Sequence, residues 1–181
     1  MIITPTYCLQ CGTPLVDRED GGRVRRACPR CSYIYYDNPS PVVAALVEHE
    51  GAVILVRNKG WLETWYGLVT GFLERDETAE QGLLRELKEE LNLDGEIAGL
   101  IGVYSFFKMN QVIMAYHVRA EGAITLGDEL TDYKHVPPDA LRPWPMGTGE
   151  AVRDWLAARR SGLPGPARRS RRDPDDSGSY V

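Results

Sequence analysis

The sequence predicts an α/β domain with a small metal-stapled module in front of it. Two observations carry that reading. Apolar strand-like segments alternate with two amphipathic helices between residues 39 and 160, and all four cysteines fall in the first 31 residues as two C-x2-C pairs. A third stretch, 161–181, turns to Gly, Pro, Ser, Arg and Asp without periodicity. The expected organisation is a zinc ribbon over 1–38, an α/β domain over 39–160 and a disordered tail over 161–181. A length of 181 residues, 43% hydrophobic and 26% charged, fits one ordinary globular domain with an appendage.

The ribbon is read from Cys8-Leu9-Gln10-Cys11 and Cys28-Pro29-Arg30-Cys31, separated by 16 residues. Two tight turns deliver four thiolates, which close a tetrahedral shell around Zn²⁺, and a spacer of this length forms the hairpin that joins them. Asp20-Gly21-Gly22 supplies the turn midway. Paired disulfides are the alternative, disfavoured by strict pairing and a reducing compartment. Four cysteine ligands leave no open position, so the zinc is expected to hold structure rather than to react.

After the punctuation of Tyr36-Asp37-Asn38-Pro39, residues 42–48 and 52–57 read as strands joined at Glu50-Gly51, and 67–72 as a short strand between glycines. Residues 78–91 form the clearest helix. Residues 97–107 and 112–120 are a second strand pair, 127–135 a loop entering a strand, and 150–160 a second helix with Thr148 as its cap and Val152, Trp155 and Leu156 on its buried stripe. His49, His117 and His135 have no ligand spacing and are expected to be structural.

No apolar stretch exceeds the six residues Val42–Val47, which excludes a spanning helix, and no secretory signal is visible, so a cytoplasmic address is expected. Between Glu74 and Glu96 nine acids face three bases. That patch repels phosphate unless cations sit on it, which disfavours nucleic acid as a partner and favours metal. A homodimer is compatible with the sequence.

On a helical wheel Leu83, Leu87, Leu91 and Leu84 share one stripe, and Glu86, Glu89 and Glu90 share an arc beside it. A solvated face would interleave lysines at i+4. Three carboxylates at the core's edge suit Mg²⁺ or Mn²⁺, hard ions that take a few oxygens and bridge to phosphates.

The pattern Gly71-x5-Glu77-x7-Arg85-Glu86-Leu87-x-Glu89-Glu90-x-Asn92-Leu93 resembles the Nudix box, G-x5-E-x7-R-E-U-x-E-E-x-G-U with U aliphatic, at every defined position but one. With the four-cysteine ribbon and Tyr36-x-Asn38-Pro39, the resemblance narrows to zinc-ribbon Nudix hydrolases such as the NADH, ADP-ribose and FAD pyrophosphatases. It covers residues 7 to about 160. It implies an α/β/α sandwich around a mixed sheet and Mg²⁺- or Mn²⁺-dependent cleavage of a nucleoside diphosphate linked to another moiety, a small-molecule nucleotide derivative. Glu86, Glu89 and Glu90 would be metal ligands, Arg85 would orient Glu86, and Gly71 and Glu77 would fix the loop and helix start. Glu129 in the later Gly127-Asp128-Glu129 loop would be a ligand or general base, beside Glu86 as the other candidate for that role.

Two departures matter. Asn92 stands where the box has glycine, and Asn is the usual substitute at a left-handed helix end. The S-Q-P-W-P-F-P-x-S-type marker of NADH pyrophosphatases is absent, since Gly102-Val103-Tyr104-Ser105-Phe106-Phe107 occupies its place and Pro143-Trp144-Pro145 comes too late. ADP-ribose and FAD therefore rank above NADH. The alternatives are a housecleaning nucleoside triphosphate pyrophosphohydrolase, or an idle Nudix fold that binds RNA or protein.

Overall fold

A computed structural model describes residues 4–162. The expected disordered tail lies outside them, except for Ser161 and Gly162 in the turn that follows the last helix. Strands β1 (Val16–Asp20), β2 (Arg23–Ala27) and β3 (Ile34–Tyr35) form a small antiparallel sheet in that order. Gly21 and Gly22, with φ of 57° and 75°, make the two-residue β1–β2 turn, which needs positive φ at both positions. Among the described residues, the apolar cluster here is Cys8, Leu15 and Cys28, with Cys11, Cys31 and Tyr33 against it. So few side chains cannot offset the entropy of ordering the segment, which is why the sulfurs have to contribute.

The main sheet comprises β4 (Ser40–His49), β5 (Ala52–Asn58), β6 (Val69–Phe72), β7 (Asp94–Phe106), β8 (Gln111–Glu121) and β9 (Leu130–Val136). Its order is β7-β8-β4-β5-β9, with β6 also paired to β4. The β4–β8 pairing is parallel and the others are antiparallel, so the sheet is mixed. The β5 and β6 strands share one edge of β4: β6 takes Val42–Ala45 and β5 takes Val47–His49.

Helices α1 (Ala79–Leu91) and α2 (Gly149–Arg160) cover opposite faces of this sheet. Along β4, Val43, Ala45 and Val47 pack with Leu83, Leu87 and Leu91 of α1, while Val42, Ala44 and Leu46 pack on the side of α2. Alternate side chains point to opposite faces, so the continuous apolar run of β4 marks a strand buried twice. The architecture is the expected α/β/α sandwich.

Thr78 starts α1 with a capping box: its hydroxyl accepts from the Gln81 N–H, and the Gln81 side chain accepts from the Thr78 N–H. Asn92 ends it at φ 56°, ψ 25°, its N–H donating to the Lys88 carbonyl. Lys88 itself turns away from the apolar stripe and pairs with Asp94 at 3.0 Å. The expected cap of α2 differs. Thr148 is buried in a helical conformation and makes no side-chain capping bond. A Cβ on Gly149 would collide with the Trp144 backbone, so the helix entry is set by the chain lying against its own residues 144–149. That close approach, and the packing of half-buried Trp144 against the Leu46–Trp155 cluster, account for Pro143-Trp144-Pro145.

The left-handed cap can be tested by chemical denaturation. Asn92→Gly should be neutral or mildly stabilising, and Asn92→Val should cost ~1 kcal/mol or more because a β-branched side chain resists positive φ. A Val variant as stable as the parent would mean that this cap conformation carries no strain.

Candidate active site

The second half of α1 meets the sheet at its most charged point. Leu87 and Leu91 anchor the helix, and its geometry then places Glu90 next to the buried stripe and Glu89 furthest from it. The burial follows that order: Glu90 is 4% exposed, the Glu86 side chain 15% and the Glu89 side chain 61%. Gly71, at the end of β6, lies so close beneath Glu86 that a Cβ there would overlap its carboxyl group.

A second approach comes from the segment between β8 and β9. Thr125 and Gly127 donate their N–H groups to the carbonyls of Leu91 and Glu90 at 3.0 and 2.9 Å, which satisfies the open end of α1. A Cβ on Gly127 would strike the Glu89 carbonyl, so only glycine lets the loop close on the helix. Asp128 and Glu129 follow directly. With Glu86, Glu89 and Glu90 they line one cleft of about 190 Å³. The sequence reading included Glu129 but neither Asp128 nor the role of Gly127; a glycine directly before two acids was the available signal.

One cation stands among these acids. Arg85 donates to both oxygens of Glu77 at 3.1 and 2.8 Å, to Glu86 at 2.8 Å, to Glu89 at 3.1 Å and to the Phe72 carbonyl at 3.1 Å. The Glu77 carboxylate also accepts the Glu74 N–H at 2.7 Å, so it ties the loop before α1 to the helix. The Arg85 side chain and the Glu74 amide hold Glu77 below the usual carboxylate range, and Glu77 in turn holds the guanidinium charged.

Glu90 receives none of this help. Burial, and then the neighbouring Glu86, Glu129 and Glu89, push its carboxyl up to about 8. Glu86 is also raised, by burial first, although Arg85 opposes the shift. A carboxyl whose folded pKa lies above its unfolded value of about 4.3 costs stability as pH rises through that interval. A cation bound there removes the cost.

The residues fit such an ion. Glu90 Oε2 is buried without any hydrogen-bond partner, an arrangement that leaves an acceptor aimed into the protein with nothing to accept. The donors are all carboxylate oxygens, the preference of Mg²⁺ or Mn²⁺. Among the described residues these oxygens do not gather in threes within 4.8 Å, whereas the four cysteine sulfurs do. Like charges splay until a cation joins them.

The cysteine cluster fits Zn²⁺. Cys8 and Cys31 sulfurs are 3.5 Å apart, and Cys11 lies 3.6 Å from both Cys28 and Cys31. These separations are far beyond a disulfide bond and close to the edge, roughly 3.8 Å, of a tetrahedron with zinc–sulfur bonds of about 2.3 Å. Amides of Gln10, Arg30 and Cys31 point at the Cys8 and Cys28 sulfurs, as thiolates require.

The remaining candidates separate clearly. Near the box, Tyr66 is bound to Asp132, Tyr104 to Asp154, and Phe106 packs against the core, whereas Trp61, Trp65 and Phe72 are exposed. His117 bonds Glu48 at 2.7 Å and is structural, its imidazole held low by burial. His49 and His135, which have no ligand spacing along the sequence, meet in the fold: their rings stack, 86 residues apart in sequence, with nitrogens at 2.9 Å. Strand order brings them together, which no local spacing records.

Comparison with known proteins agrees with this geometry. The family model described as NUDIX domain matches residues 38–156. Proteins named NAD-capped RNA hydrolase from Pseudomonas aeruginosa (strain LESB58) and Pseudomonas putida (strain W619) are 30% and 29% identical to the chain, each over 88% of it. The chain spans 58% and 59% of the length of these relatives. A NUDIX hydrolase from Nitrosomonas europaea superimposes with a TM-score of 0.75 at 28% identity, covering 89% of this chain and 96% of that one. An ADP-ribose pyrophosphatase from Streptococcus suis shares the fold at a TM-score of 0.57 and 22% identity, over 68% of this chain and 93% of its own.

Two measurements test the metal assignments. Purified protein should contain one zinc per chain and Cys8→Ser should lose it together with solubility; zinc absent from the parent, or retained in full by the variant, overturns the ribbon reading. Glu86→Gln and Glu90→Gln should each slow metal-dependent hydrolysis by at least ~10²-fold with the fold retained by circular dichroism, while Glu80→Gln, exposed on the same helix, should not. Equal effects from all three would reduce the cluster to a solvated face.

Proposed function

The chain belongs to the Nudix hydrolase family, and from that premise we propose that it cuts the diphosphate bridge of a nucleoside diphosphate linked to a second moiety. The observation that carries this reading is the cleft of five carboxylates with a buried, unpartnered Glu90 oxygen at its edge. So concentrated a negative charge excludes a bare diphosphate and suits one that arrives with divalent metal.

In this reading Glu86, Glu89 and Glu90 hold Mg²⁺ or Mn²⁺, and Glu129 completes the set or serves as general base. A divalent ion held by these carboxylates would supply charge neutralisation for the diphosphate oxygens and lower the pKa of a bound water towards neutrality. Arg85 fixes the Glu86 and Glu89 carboxylates against their mutual repulsion, with Glu77 and the Phe72 carbonyl setting the guanidinium. Gly127 brings Glu129 across the end of α1. The four cysteines hold Zn²⁺ and organise residues 1–38, and residues 39–160 are the catalytic unit.

A cleft of about 190 Å³ is smaller than the roughly 300 Å³ at which ligand pockets begin, so it accommodates the reacting diphosphate and leaves most of the substrate outside. ADP-ribose and FAD are the substrates we favour, because the marker motif of NADH pyrophosphatases is absent and β7 occupies its place. A second reading is a nicotinamide dinucleotide, free or as an RNA cap, supported by the relatives whose printed name is NAD-capped RNA hydrolase. The acidic patch weighs against a long RNA contact near the cleft.

A substrate panel with Mg²⁺ or Mn²⁺ separates these readings. ADP-ribose should yield AMP and ribose 5-phosphate, FAD should yield AMP and FMN, and EDTA should abolish both. Release of nicotinamide mononucleotide from NAD or NAD-capped RNA in preference to these products transfers the assignment to the second reading. Pyrophosphate from nucleoside triphosphates, with no dinucleotide cleaved, overturns both.

A further inference from the structure

His49 ends β4, and His135 lies on β9 with β5 between them. Their rings stack with centroids 5.1 Å apart, and His49 Nδ1 stands 2.9 Å from His135 Nε2. His49 is 4% exposed, and its Nε2 lies 2.8 Å from the Gly122 carbonyl oxygen. A carbonyl only accepts, so Nε2 carries the hydrogen, and Nδ1 of the neutral ring is a lone pair aimed at His135. Binding histidines in metal centres show the same arrangement, with the non-ligating nitrogen donating to a backbone carbonyl that fixes tautomer and ring plane.

His135 can meet that lone pair by donating its Nε2–H. It can also carry its hydrogen on Nδ1, in which case two lone pairs converge. A third donor is present: Glu50, on the β4–β5 turn at φ 50°, brings a carboxylate oxygen within 4.8 Å of a ring nitrogen of each histidine. Among the described residues this is the one group besides the cysteines in which three such ligand atoms gather so closely.

We infer that His49 Nδ1, His135 Nε2 and a Glu50 carboxylate oxygen form a site for an imidazole-preferring divalent ion of the Ni²⁺ or Cu²⁺ class, separate from both the carboxylate cleft and the cysteines. With metal–nitrogen bonds of about 2.1 Å, nitrogens 2.9 Å apart subtend roughly 90° at the ion. That is the angle of square or octahedral coordination, and it is too narrow for tetrahedral Zn²⁺. His135 and Glu50 are exposed, so water fills the remaining positions. On binding, the His135 proton moves from Nε2 to Nδ1 through solvent, and no net proton is released from that ring.

The test uses the full chain, zinc-replete and in excess Mg²⁺ to saturate the carboxylate cleft. Calorimetric titration with Ni²⁺ should show one site in the parent, weakened at least tenfold in His135→Gln and several-fold in Glu50→Gln. Both positions are exposed, so the fold should tolerate the changes, and Mg²⁺-dependent hydrolysis should be unchanged. Bound Cu²⁺ should show nitrogen splitting from two imidazoles by electron paramagnetic resonance, reduced to one in His135→Gln. The protein has three histidines in all, and His117 is the one outside the site, so the variant reports on the pair. Identical Ni²⁺ isotherms for parent and His135→Gln, or a Cu²⁺ spectrum without coordinated nitrogen, would overturn the site and leave the pair as a hydrogen bond alone.

Discussion

Repulsion among carboxylates crowded at the edge of a hydrophobic core is the constraint around which this domain is arranged. Five of them share one cleft, and Glu90 has a buried oxygen with no hydrogen-bond partner in the protein. Burying such a group without compensation is costly, and one guanidinium offsets only part of the cost. Arg85 binds Glu77, Glu86 and Glu89 and does not reach Glu90. The protein therefore carries an unfavourable interaction that a divalent cation held among these carboxylates would relieve. Strain of this kind is tolerated because the leucine stripe of α1 is fully buried and holds the helix in place.

Two glycines make the arrangement sterically feasible. Gly71 passes beneath Glu86 and Gly127 passes over the end of α1, each where a single methyl group would collide. The first draws β6 against the helix and the second draws the Asp128-Glu129 loop toward it. Without these approaches the same five acids would be scattered over an exposed surface, where each would be hydrated and of little chemical use. Their placement shows how backbone without side chain concentrates charge elsewhere.

The ribbon solves a different problem by the same means. Its three strands are largely polar and its apolar cluster consists mainly of the cysteines, whose sulfurs gather around one point. The larger domain needs no such staple because β4 is buried on both faces between two helices. Asn110, at the β7–β8 turn, donates to Asp37 at 3.2 Å, which ties the chain leaving the ribbon to the main sheet.

Local pattern alone determined the helix from Ala79 to Leu91, its left-handed end at Asn92, the β4 strand and the pairing of the cysteines, because each rests on residues a few positions apart whose period or spacing already defines a face or a turn. The arc of Glu86, Glu89 and Glu90 was legible for the same reason, since one turn of helix places them together. The approach of Asp128 and Glu129 through Gly127, and the meeting of His49 with His135, were decided by the tertiary structure. Both depend on sheet order and on contacts at van der Waals distance between segments dozens of residues apart. The cap of α2 belongs to that second group: Thr148 has the right side chain for a cap, and the backbone of Trp144 against Gly149 sets the helix entry instead. A side chain's local preference yields wherever packing between distant segments leaves room for only one path of the chain.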